Sequence, residues 1–199
     1  KKVELISTSS DIDTAEVSTD GTITGVSDVA AAVMPAVVSI TNKSVQEVQN
    51  YFSRYGYGAP SYTEESTSAG SGIIIGQNDD ELLICTNNHV VENSTELTVG
   101  FADGSAYEAV VKGTDAANDL AVVAVKLDDI SDDTMDAIKI AEIGDSDDLV
   151  VGQQVVAIGN ALGYGQSVTV GYISALDRTV QTEDGVSRDL LQTDAAINP

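Results

Sequence analysis

Apolar and polar positions alternate in short runs along most of this chain. Six such runs, at 36–41, 72–75, 81–86, 96–101, 107–112 and 120–125, are rich in Val, Ile and Leu and predict six strands. The gaps between them are too short for crossover helices of about a dozen residues, so a parallel α/β sheet is excluded and the region is all-β. Ala102-Asp103-Gly104-Ser105 predicts a tight turn in which glycine supplies the positive φ, making a hairpin of the fourth and fifth runs. A helix is expected only at 29–34, capped by Asp28 and ended by Pro35. Strands resume at 149–158, 167–176 and 190–193, with a polar loop expected over 179–188. Six strands can close or nearly close a small barrel, whereas three leave an open sheet with two bare edges.

Two stretches break this rhythm. Residues 1–27 are rich in Ser, Thr and Asp and bury little, so they are expected to form a flexible lead-in. Residues 49–68 hold Tyr51, Phe52, Tyr55, Tyr57 and Tyr62 among Gly and Ser, without strand or helix period, and predict a long loop. Its aromatics either form a contact surface or fold back on their own domain. The acidic, irregular stretch 128–148 is expected to connect two β units.

Composition narrows the function. With 199 residues and 42% hydrophobic content the chain can bury a real core. Nine Lys and Arg against 32 Asp and Glu give a net charge of −23, which repels a nucleic-acid backbone and an anionic membrane surface alike. Cys85 is the only cysteine, so no internal disulfide forms, and its apolar run predicts a buried, inert thiol. One His and one Cys cannot build a zinc site, and no cofactor is expected. The apolar run 29–38 is too short to span a bilayer and contains Pro35. No apolar signal region follows Lys1-Lys2, so a targeting segment or membrane anchor is expected outside these residues or not at all. Gly70-Ser71-Gly72-Ile73-Ile74-Ile75-Gly76 has neither the spacing nor the following helix of a dinucleotide site and reads as a close-packed strand. Asp145-Ser146-Asp147-Asp148 lacks the turn Gly and terminal Glu of a calcium loop and reads as a solvated acidic face.

The one candidate for proton chemistry is His89, the only histidine, in Thr86-Asn87-Asn88-His89-Val90-Val91 at the end of an apolar strand. An imidazole exchanges protons near neutral pH, yet a lone histidine is commonly structural and gains weight only from a partner. Such a partner is a carboxylate that fixes the ring's tautomer and stabilises the imidazolium. Asp119 is the best candidate, because it opens the strand 120–125 and stands at its rim. The plainer reading of Asp119 is a carboxylate that caps a turn and faces water.

Several motifs occur in order around these two residues. They are Thr86-Asn87-Asn88-His89-Val90-Val91, Phe101-Ala102-Asp103-Gly104, Asn118-Asp119-Leu120-Ala121-Val122-Val123, Ile143-Gly144-Asp145-Ser146, Gly152-Gln153 and Ala157-Ile158-Gly159-Asn160. The series closes with Gln192-Thr193-Asp194-Ala195-Ala196-Ile197-Asn198-Pro199. From about residue 29 onward it resembles the HtrA (DegP-like) family of trypsin-fold serine endopeptidases.

The resemblance implies a chymotrypsin-like double β-barrel with its site between the barrels, His89 as general base and Asp119 as its orienter. It divides the chain into the lead-in at 1–27, a first barrel at 28–148 and the first part of a second barrel at 149–199. In the family, Ala-Ala-Ile-Asn-Pro runs into Gly-Asn-Ser-Gly-Gly, whose Ser is the nucleophile, so these 199 residues are expected to be inactive alone. Family-level expectations are a homotrimer, with the helix near residue 29 close to its contacts, unfolded or misfolded protein substrates, and an extracytoplasmic location. The stretches 49–68 and 179–188 fall where the family has a regulatory loop and a loop used in activation. The alternative is a noncatalytic binding or scaffold module derived from the protease fold, using the aromatic loop to hold partners.

Overall fold

In the computed structural model, residues 25–48, 62–160, 165–182 and 185–197 are described. Residues 1–24 of the expected lead-in, and Tyr51, Phe52, Tyr55 and Tyr57 of the expected aromatic loop, lie outside them, while 26–27 belong to a helix and not to the lead-in. The chain enters through helix α1 (Val26–Val33), which starts earlier than expected. Gly25 is its N-cap, and Asp28 sits in the first turn without capping it. A single 3-10 turn, Met34–Ala36, carries Pro35 near its start, where a missing N–H costs nothing.

Six antiparallel strands then close a barrel in the order β1-β2-β3-β6-β5-β4, which leaves the barrel itself no free edge. They are β1 (Val37–Val48), β2 (Tyr62–Gln77), β3 (Glu81–Thr86), β4 (Ser94–Gly100), β5 (Ala106–Asp115) and β6 (Leu120–Lys126). Each of the six predicted runs forms a strand. On β3, Leu82, Ile84 and Thr86 are buried, while Leu83 and Cys85 face outward and are half-buried. The expected burial of Cys85 therefore fails by one step of strand alternation. The barrel interior joins Val38, Ile40, Ile74, Leu82, Ile84 and Val123, all fully buried. Each such side chain contributes about 1.5–3 kcal/mol of burial. A Cβ on Gly72 would meet Ile84 at 2.8 Å and Ile40 at 2.9 Å, which is why glycine stands in this part of β2.

β1 and β2 run past the barrel. Pairing of β1 with β4 stops at Ser44↔Ser94, but pairing with β2 continues to Val48↔Tyr62. Part of the expected 49–68 loop is thus strand. Ser66, Thr67 and Ser68 of β2 are polar and exposed there, which leaves no apolar alternation to read.

The acidic connection is less irregular than its composition suggests. Ser131 caps helix α3 (Asp132–Ala137) by accepting from Thr134 N–H, with Asp132 and Asp133 in the first turn. Thr134, fully buried, donates to Asp103 Oδ2 at 2.7 Å and lies 3.1 Å from the Tyr107 hydroxyl, tying α3 to the β4–β5 turn. Hydrogen bonds from Ser105 and then Thr134 hold the Asp103 carboxyl below its usual range. Gly104 has φ 85°, the turn geometry expected there.

The second unit is a sheet in the order β7-β8-β9, formed by β7 (Gln154–Gly159), β8 (Ser167–Thr182) and β9 (Gly185–Thr193). Two expectations are corrected here. Residues 149–153 form turns, with Gly152 at φ 89° and Val150 and Val151 more than 60% exposed, so the strand begins at Gln154. The expected polar loop at 179–188 is mostly hairpin, with Val180↔Ser187 and Thr182↔Gly185 paired. Asp177, Arg178, Thr179 and Val180 are exposed in succession, so this part of β8 has both faces in water.

Candidate active site

The strand β3 delivers His89 directly. Thr86, its last residue, is buried and donates from Oγ1 to Ser71 O at 2.8 Å, fixing where the strand ends. Asn87 adopts extended geometry as N-cap, and helix α2 (Asn88–Val91) follows with Val90 and Val91 buried. His89 lies on the outer side of this turn with 68% of its side chain exposed.

Asp119 arrives on the β5–β6 hairpin. Asp115 closes the turn by accepting from Ala117 N–H at 3.1 Å, Asn118 N–H at 3.3 Å and Asn118 Nδ2 at 2.6 Å. The turn-capping role is therefore filled by Asp115. Asp119 itself has φ 52°, a left-handed conformation uncommon for residues with a Cβ and best tolerated by Asn and Asp. That backbone twist aims its carboxylate back at α2.

The two predicted site residues meet. His89 Nδ1 lies 2.7 Å from Asp119 Oδ2, and the His89 backbone N–H donates to Asp119 Oδ1 at 2.9 Å. A third tie, Asn87 Nδ2 to Asp119 O at 3.0 Å, fastens the two turns together. Burial raises the Asp119 pKa, but the two hydrogen bonds and charge of His89, with the Asn88 N–H, outweigh it and hold the carboxyl below its usual value. An ionised Asp119 accepts from both His89 N–H groups, so the geometry favours the ring tautomer with its proton on Nδ1. The ring's other nitrogen is left as an acceptor on its exposed edge.

Beside this pair a groove of about 250 Å³ opens between the barrel and β7, lined among others by Ser71, Ile73, Cys85, Thr86, Leu120 and Ile158. Ser71 bridges its walls, its Oγ accepting from Asn160 N–H at 2.7 Å. Among the described residues, no group of three or more His, Cys, Asp or Glu is placed to hold a metal ion. No helix there is long and apolar enough to cross a membrane.

Sequence reasoning missed the residues that hold the site. Ser71, Asn87 and Asn160 are polar residues whose partners lie up to 89 positions away. Asn42 sits just past the expected end of β1, where a polar residue reads as a loop. The structure carries the strand on to Val48 and so puts Asn42 inside it.

The trypsin-like peptidase domain family matches residues 70–199, nearly two thirds of the chain, so the chain belongs to the trypsin-like peptidases. Serine protease Do-like HtrA of Bacillus subtilis (strain 168) is 38% identical over 180 residues, covering 87% of this chain and 38% of the relative. The probable periplasmic serine endoprotease DegP-like of Buchnera aphidicola subsp. Schizaphis graminum (strain Sg) is 43% identical over 147 residues, 74% of this chain and 29% of the relative. The solved structure of HtrA-type protease AlgW with tripeptide superposes at TM-score 0.65 with 30% identity, covering 88% of this chain and 48% of that one. Within the trypsin-like peptidases the chain is thus of the HtrA (DegP-like) family of serine proteases, and it spans 38% and 29% of the length of these two curated relatives.

Proposed function

We propose that this chain carries most of the protease domain of an HtrA-type serine endopeptidase, with His89 as general base and Asp119 as the carboxylate that orients it. The observation supporting this most strongly is the double grip of Asp119 on His89, at ring and backbone. The grip fixes the tautomer and the direction of the ring, and it provides a negative charge for the imidazolium that forms when the ring takes a proton. A serine hydroxyl approaching the free ring nitrogen would lose its proton there as its oxygen attacks a peptide carbonyl. The same nitrogen would then protonate the departing amine. In the family that serine belongs to a Gly-Asn-Ser-Gly-Gly motif preceded by Ala-Ala-Ile-Asn-Pro, the residues found here at 195–199.

The finer parts of the reading rest on kinship. We divide the chain into a lead-in at 1–27, a first barrel at 28–148 and part of a second at 149–199. Substrates are unfolded or misfolded proteins, the assembly is a homotrimer, and the location is extracytoplasmic, in line with relatives named periplasmic.

The test is hydrolysis of unfolded casein. The 199 residues alone are expected to cleave none, and a version continued through the serine motif is expected to cleave it. In that longer version His89→Ala should lower kcat/KM by about 10⁴-fold or more. Unchanged turnover in that variant overturns the assignment, as does serine-reagent-sensitive cleavage by the 199 residues alone.

A further inference from the structure

We infer that Asn42 is a positioning residue for His89, acting through the backbone of α2; this rests on the base–orienter reading above. Asn42 lies in the barrel wall on β1, between Ser68 of β2 and Leu97 of β4, and is 2% exposed. Its Nδ2 donates to Val90 O at 2.9 Å and to Glu92 O at 3.0 Å, carbonyls one and three residues after His89. Its Oδ1 is buried without a protein partner, so this side chain serves the site through its donors.

The need for such a tie follows from the length of α2. Four residues make one turn, closed by Glu92 N–H to Asn88 O at 3.0 Å, and one turn has no stability of its own. Its orientation must come from outside. Asp119 takes hold on the entry side, through the His89 N–H. On the exit side Asn42 takes both carbonyls, and Gly70 leaves the space that Val90 fills, since a Cβ there would lie 2.5 Å from Val90 Cγ2. With Asn42 replaced by an apolar residue, two carbonyls lose their donor and the exit end of the turn is free to rotate. The ring then no longer stays aligned with the Asp119 carboxylate.

Because His89 is the only histidine, the ring can be read without ambiguity in this chain by long-range ¹H–¹⁵N NMR. The expected wild-type spectrum at pH 8 shows a single Nδ1–H tautomer. Asn42→Leu, which keeps most of the volume, and Asn42→Ala should at least halve the share of that tautomer. A core variant distant from α2, Val125→Ala, compared at matched thermal destabilisation, should leave it unchanged. In wild type the Asn42 side-chain amide protons should exchange at least a hundredfold more slowly than a solvated amide, a measurement that needs no variant to fold. A wild-type ring without the Nδ1–H signature overturns the base–orienter reading and this inference with it. A wild-type signature that persists in Asn42→Leu, or a freely exchanging Asn42 amide, overturns the role of Asn42 alone.

Discussion

The strands of the closed barrel and of the three-stranded sheet hold similar proportions of Val, Ile and Leu, yet they use them differently. In the barrel, Ile84 and Val123 face a common interior and are fully buried. In the sheet, Val168, Val170 and Tyr172 alternate along β8 with between a third and a half of their surface in water. Closure makes the difference. A strand pattern buries its apolar face only when another face lies opposite, and the described side chains of β8 and β9 are mostly exposed, the segment crossing Gly171 covering one stretch of β8. The His89–Asp119 pair therefore stands on the closed barrel, whereas Asp194 and Ala195 cross the open sheet at Gly171.

The contrast can be broken most strongly in the barrel. Ile84→Ala should cost about 2–5 kcal/mol, read as a lower midpoint in urea unfolding, whereas Val170→Ala should cost under about 0.5 kcal/mol. Equal costs would mean the sheet is as well packed as the barrel. Next comes Gly171→Ala. A Cβ there would overlap Ala195 N and Asp194 Oδ1, where Asp194 Oδ1 accepts from Tyr172 N–H at 2.7 Å. The expected loss is about 1–3 kcal/mol, confined to the sheet, so amide exchange should quicken at Tyr172 and not at Val123. Ser71→Ala removes the acceptor for Asn160 N–H and should loosen that link by about 1 kcal/mol, seen as faster exchange of the Asn160 amide with barrel amides unchanged.

The smallest effects are those of pH. Because the folded Asp119 pKa lies below its ordinary value, its grip is fully present above that ordinary value and is lost as pH falls through the lowered one. The His89 amide proton shift should follow that titration, and a transition above the ordinary carboxylate value would contradict it. Hydrogen bonds from Ser131 and then Thr134 pull the Tyr107 hydroxyl down to about 8. Phenolate absorbance should show a first ionisation near that pH, removed by Tyr107→Phe.

The barrel was readable because alternation in its strands follows burial: Leu82, Ile84 and Thr86 point inward as their spacing requires. Where both faces meet solvent, as at Thr179 and Val180, alternation carries no such information and a strand passes for a loop. Short helices were hidden for a related reason, since six residues such as α3 give too few turns for a period, though Ser131 ahead of two Asp was a usable cap signal. In the site, His89 and Asp119 stood out through the motifs that surround them. Asn42 did not, since its partners lie 48 and 50 positions away and nothing local distinguishes a buried amide from a strand-end one.

The left-handed backbone at Asp119 has a consequence for how this site tolerates genetic change. A single-nucleotide change in an aspartate codon can yield Asn, Gly, Ala, Val, His, Tyr or Glu. Asn and Gly suit that backbone best, and neither carries a charge. Glu keeps the charge but strains the turn and overreaches the ring by a methylene. Two filters, one steric and one electrostatic, thus overlap on one amino acid, and neutral drift at this codon has no single-step exit.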